Sequence, residues 1–102
     1  MPKAVVKEST ITARIRDYLR KRGGVVIKIW GGTFQTPGIP DLYYAENGVQ
    51  VWFEVKKPDM KYGLTKLQEH MITMLRAQQV PVYVVTSVDE VKNALKELGL
   101  DV

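Results

Sequence analysis

Asp41 and the tripeptide Glu54-Val55-Lys56 supply two carboxylates and an ammonium at a spacing that a hairpin would bring together. Asn47-Gly48 lies between them, flanked by apolar runs. This dipeptide is the strongest short-range signal for a two-residue type I′ turn. With Asn47 and Gly48 as the turn, Glu46 pairs with Val49, Ala45 with Gln50, Tyr44 with Val51, Tyr43 with Trp52, Leu42 with Phe53 and Asp41 with Glu54. Directly opposed residues share a face of the sheet, with Cβ atoms roughly 4.5–5.5 Å apart. Side chains alternate along a strand, so Lys56 shares that face with Glu54. Like charges set opposite each other are destabilising, and a divalent cation between them is the natural compensation.

Mg²⁺ and Mn²⁺ take oxygen ligands, and Mg²⁺ typically uses one or two carboxylates plus substrate phosphate. Asp41 and Glu54 could supply the carboxylates, and the main-chain carbonyl of Val55 could add a ligand. A bound cation makes water a better proton donor. Lys56 could orient that water or stabilise charge building on a phosphoryl oxygen. The set is a recipe for metal-assisted phosphodiester hydrolysis. The competing reading makes Asp41 a turn-flanking residue and Glu54–Lys56 a solvated pair. Isolated E-x-K matches are common, but two facing acids are hard to justify on packing grounds alone.

The elements that must position these groups are legible from periodicity. Ile11, Ile15, Tyr18 and Leu19 recur at helical spacing until Gly23-Gly24, which predicts a helix over 6–22. Glu8 sits on or beside its buried stripe, and Arg14, Arg16, Arg20 and Lys21 form the other face. Residues 25–30 are largely β-branched and predict a strand, 31–40 a Gly/Pro-rich loop, and 41–45 and 49–57 the hairpin strands. After a second loop at 58–63, a helix is expected over 65–79. Its inner side carries Leu64, Gln68, Met71, Ile72 and Leu75. Residues 81–86 read as a buried strand. Ser87 and Glu90 form a capping box that opens a last helix through Leu98, ended by Gly99. Trp30 and Trp52 are expected in the core or a subunit contact, and His70, off the Gln68 face, at the surface. The order α-β-β-β-α-β-α predicts an α/β fold with a central mixed four-stranded sheet flanked by helices.

Composition sets bounds. The 102 residues suffice for one compact domain spanning 1–102. The absence of cysteine excludes disulfides and thiolate chemistry and favours a reducing cytoplasm. No apolar run reaches the length of a membrane span, and the N-terminus lacks a signal-peptide pattern. The net charge is +4. With Glu8, Asp41, Glu54 and Lys56 set aside, 14 basic and 8 acidic residues remain, a balance of +6. A positive surface around an acidic centre suits a polyanion handled with a metal ion. No G-x-G-x-x-G or Walker pattern is present, so a nucleotide cofactor has no support.

Gly38-Ile39-Pro40-Asp41, then Glu54-Val55-Lys56, then Gln68 in the following helix, resemble the VRR-NUC branch of the PD-(D/E)XK nuclease superfamily. The resemblance spans nearly the whole chain. It implies a restriction-endonuclease-like core and a Mg²⁺- or Mn²⁺-dependent endonuclease acting on DNA. It implies that Asp41, Glu54 and the carbonyl of Val55 hold the metal, and that Lys56 is the catalytic lysine. It implies that Glu8 faces the site, directly or through water, and that Gln68 positions a water or a phosphate. The small stand-alone phage and bacterial members look similar to dimeric junction-resolving enzymes. The resemblance therefore implies branched DNA such as a four-way (Holliday) junction, a homodimer, and a bacterial or phage-infected cytoplasm. A flap or nicking, restriction-like nuclease is the alternative within the class, and a non-catalytic DNA-binding module the alternative outside it. Near the site, Gly32, Thr33 and Gln35 could contact phosphates through backbone amides and short polar groups, with Lys57, Lys61 and Tyr62 adding attraction and contact.

Overall fold

The computed structural model describes residues 6–31 and 36–102. The element order is α1 (Glu8–Lys21), β1 (Val25–Lys28), β2 (Leu42–Glu46), β3 (Val49–Val55), a 3₁₀ turn (Pro58–Met60), α2 (Lys66–Ala77), β4 (Val82–Val85) and α3 (Val88–Glu97). The strands form one sheet in the order β1-β2-β3-β4. The first two pairings are antiparallel and β3–β4 is parallel, as the crossover through α2 requires.

The hairpin has the register that its turn dictates. Asn47 and Gly48 both take positive φ, 52° and 83°, as a type I′ turn demands. The ladder runs from Glu46↔Val49 to Leu42↔Phe53. Asp41 lies one residue beyond the end of β2 rather than within a strand over 41–45. It is held there on both sides: its carbonyl accepts the Ile29 N–H at 2.8 Å, and its Oδ2 accepts the Val55 N–H at 2.8 Å.

Several elements are shorter than the periodicity predicts. β1 ends at Lys28 and β3 at Val55, where no further ladder partner continues the pairing. α1 starts at Glu8, because Lys7 occupies the N-cap in extended conformation and offers no capping side chain. α2 starts after Thr65, which is its N-cap.

One face of the sheet packs against α1 and α3. Ile11, Ile15 and Leu19 of α1 and Val91, Ala94 and Leu95 of α3 enclose Leu42, Tyr44, Val51, Phe53, Val55 and Val85. These strand residues alternate with Glu54, so Glu54 points to the opposite face, where α2 lies with Ile72 buried. Arg22, just past α1, grips the Glu46 carboxylate with two N–H groups at 2.8 and 2.9 Å and donates a third bond to the Asp101 carbonyl at 2.7 Å. The Tyr44 hydroxyl donates to the same carboxylate. Bidentate pairing holds the Glu46 carboxyl below its usual range, and burial, reinforced by Glu46, pushes the Tyr44 phenol up to about 12.

Candidate metal centre and its flanking cleft

Glu54 is 1% exposed, the most enclosed charged residue among the described residues. β3 delivers it to the α2 face, and α2 covers it. Gln68 Nε2 donates to Glu54 Oε1 at 3.2 Å, and Lys56 Nζ stands 3.9 Å from the same oxygen. Lys56 Nζ also donates to Gln68 Oε1 at 3.1 Å. Glu54, Gln68 and Lys56 thus form a closed triangle, with the amide bridging acid and ammonium.

Gln68 is held there by the start of α2. Its Oε1 accepts the Thr65 N–H at 3.0 Å, and its own N–H donates to Thr65 Oγ1 at 3.1 Å, a reciprocal capping box. Thr65 is a positioning residue missed in the reading of the sequence. Thr65-Lys66-Leu67-Gln68 carries the T-x-x-Q signature, but Gln68 was read there as a member of the helix's inner stripe. The last helix shows the converse. Ser87 caps Glu90 N–H, yet the Glu90 carboxylate turns to Thr86 N–H and Oγ1 at 2.6 and 2.7 Å and to Lys61. The expected box at Ser87 is therefore only half made.

Gly38 fits the close approach of the preceding loop to α2. Its φ is +79°, and a Cβ there would strike the Leu67 carbonyl. The loop that leads to Asp41 therefore rests on the first turn of the helix that carries Gln68.

The electrostatics of the pair are unusual. The Glu54 carboxyl is pushed up from 4.5 to about 8. Burial is the largest cause; the Asp41 carboxylate adds to it and Glu8 adds less, while Lys56 opposes. Among the described residues, Glu54 Oε2 is buried with no hydrogen-bond partner. An orphaned carboxylate oxygen beside a second carboxylate is what a hard cation would satisfy. The residues present therefore fit Mg²⁺ or Mn²⁺, with Asp41, Glu54 and the Val55 carbonyl as the donors that could hold it.

Glu8 is placed differently from the acids of the hairpin. It stands exposed in the first turn of α1 and lines a cleft with Asp41, and its charge is felt at Glu54. Among the described residues, no group of three or more His, Cys, Asp or Glu is gathered as a metal cluster. Glu8 faces Asp41 across that cleft from the first turn of α1.

The remaining candidates divide. Lys57 is half-buried just beyond β3, and Tyr62 is 90% exposed. Lys61 is drawn to α3 by its ion pair with Glu90. Gly32, Thr33 and Gln35 lie outside the described residues. His70 is at the surface, as its helical phase requires. Trp52 is half-buried and meets Tyr43 edge-on, with ring centroids 5.3 Å apart. Trp30 is 66% exposed and not a core residue, since β1 stops at Lys28.

Fold and acid hairpin together define a restriction-endonuclease-like domain. A solved structure described as a VRR_NUC domain superposes with a TM-score of 0.72 at 25% identity, covering 91% of this chain and 97% of the other. The chain is thus similar in fold to a VRR_NUC domain along nearly its whole length. No protein-family model and no curated protein matches it.

Proposed function

We propose that this domain is a divalent-metal-dependent DNA endonuclease. The observation that carries this reading is the buried, orphaned Glu54 Oε2 beside Asp41, with Lys56 linked to the same carboxylate through Gln68. A divalent cation would supply a more acidic water and neutralise phosphoryl charge. The chain's own groups do the rest. Asp41 is fixed by the Val55 N–H and held through its carbonyl by Ile29, and its carboxylate lies close enough to Glu54 to push that carboxyl up. Gln68 fixes both the Glu54 carboxylate and the Lys56 ammonium. Lys56, its ammonium held by Gln68 and 3.9 Å from Glu54 Oε1, would stabilise a phosphoryl oxygen as negative charge grows. The positive balance of the rest of the chain favours DNA over smaller esters.

The finer reading is structure-selective cleavage of branched DNA by a symmetric pair of domains, in a bacterial or phage-infected cytoplasm. Two copies related by a two-fold axis would present two centres to two strands. No helix among the described residues is long and apolar enough to cross a membrane.

The test is a panel of four-way junction, flap, nicked and linear duplex DNA with Mg²⁺ or Mn²⁺. Wild type is expected to cut, with the junction preferred. Asp41→Asn and Lys56→Ala are expected to lose about two to four orders of magnitude in rate. Equal cutting by both variants would remove these residues from the chemistry. Binding without cutting in either metal would favour the DNA-binding module.

A further inference from the structure

Beside the acid pair runs a cleft of about 310 Å³, lined by Glu8, Ser9, Thr12, Arg16, Lys28, Trp30 and Asp41 among others. Its lining mixes charges, with the acids Glu8 and Asp41 alongside the cations Arg16 and Lys28. Both cations lie over the Trp30 indole, the Arg16 guanidinium carbon 5.9 Å and the Lys28 ammonium 5.1 Å from the ring centroid. Lys28 Nζ also donates to the Ile29 carbonyl at 2.9 Å. Among the described residues, Arg16 Nε is buried with no hydrogen-bond partner. An indole left two-thirds open to solvent is costly unless something covers it, and an unpaired buried guanidinium N–H asks for an acceptor. Neither the fold nor the acid centre uses these groups.

We propose that this cleft is the seat of an unpaired nucleotide flanking the scissile phosphate. Arg16 and Lys28 hold its phosphate, and the open part of Trp30 stacks on its base. Arg16 gives the phosphate a planar donor fork, and Lys28 a point charge. Every base has a π-face, so the contact selects single-stranded character without selecting sequence. The substrate class is therefore DNA in which a strand leaves the duplex beside the cut. Helix α1 and the end of β1 measure this feature, and intact duplex lacks it. The inference rests on the nuclease reading for its biological sense, but binding tests it separately from cleavage.

The experiment measures binding with Ca²⁺ in place of Mg²⁺. One probe is a fluorescein-labelled duplex with a single-stranded thymidine tail, and the other is the same duplex with blunt ends. Trp30→Ala should weaken the tailed probe about five- to a hundredfold and leave the blunt one nearly unchanged. Trp30→Phe should recover most of the loss. The double variant Arg16→Gln/Lys28→Gln should lower the slope of log affinity against log salt by about one. In a Trp52→Phe background, the tailed probe should quench Trp30 emission. Thermal melting checks that each variant is folded. Equal affinity of Trp30→Ala and wild type for the tailed probe would overturn the inference, as would absence of wild-type binding to that probe. In either case the cleavage panel still decides the nuclease reading, which falls only if Asp41→Asn and Lys56→Ala cut like wild type.

Discussion

At the scale of residues, Glu54 governs how the domain responds to pH. Its carboxyl titrates near 8 in the folded state against 4.5 as the ordinary value. Between those values the folded state holds a proton that the unfolded state has lost. Its contribution to stability is therefore full below about 4.5 and is lost as pH rises to about 8. The metal-free protein should melt at falling temperature across that window, and Glu54→Gln should flatten the curve. Mn²⁺ displaces the same proton, so its apparent affinity should rise with pH up to about 8, read as metal-induced thermal stabilisation. A pH-independent melting temperature in wild type would contradict this assignment. The approach of Asp41 to Glu54 was legible in the sequence because a two-residue turn fixes the ladder from Glu46↔Val49 to Leu42↔Phe53, one step short of the two acids. The enclosure of Glu54 was not, since it depends on α2, which reaches Glu54 through the fold and not through neighbouring sequence.

At the scale of elements, the first turn of α2 transmits fold to chemistry. Thr65 holds Gln68, and Gln68 holds both Glu54 and Lys56. Thr65→Ala should cost about 1 kcal/mol of stability. It should also slow cleavage by releasing the amide, while Thr65→Ser restores both. A rate loss that Thr65→Ser fails to rescue would show that the cap does not act through Gln68. Element order was readable because periodicity changes cleanly between 2 and 3.6 residues along the chain. Element ends were not, as β1 shows. Its residues favour a strand through Trp30, but the ladder ends at Lys28↔Leu42, and beyond it the Ile29 N–H meets the Asp41 carbonyl without extending the strand. The same limit hid the exposure of Trp30 and the capture of Lys61 by Glu90.

At the scale of the whole molecule, α1 and α3 cover one face of the sheet while α2 covers the other only toward β4. Val25 and Ile27 of edge strand β1 are left 57% and 45% exposed. By register, Ile27, Tyr43 and Trp52 run across that open face. This surface suits the symmetric pairing proposed for branched DNA. Light scattering after size exclusion should give a dimer, and Ile27→Glu should shift it to monomer while the fold persists by circular dichroism. A wild-type monomer at micromolar concentration, also with DNA present, would remove paired-site resolution. The +4 charge was visible in sequence, but the gathering of Glu8, Asp41, Arg16 and Lys28 round one cleft needed three dimensions.

The Asn47–Gly48 turn also sets the order of events during folding. Hairpin contacts need almost no loop closure and form in about 1–10 μs, whereas the parallel β3–β4 pairing must wait for a helical crossover. Asp41 and Glu54 thus meet before Gln68 arrives to hold Glu54 in place. Before α2 encloses Glu54 its carboxyl ionises in the ordinary range, so at neutral pH that early encounter would set charge against charge and slow refolding. A divalent cation, or a proton, lets the chain pass the same point quickly. The ion that would serve chemistry in the finished domain would then also hasten its assembly.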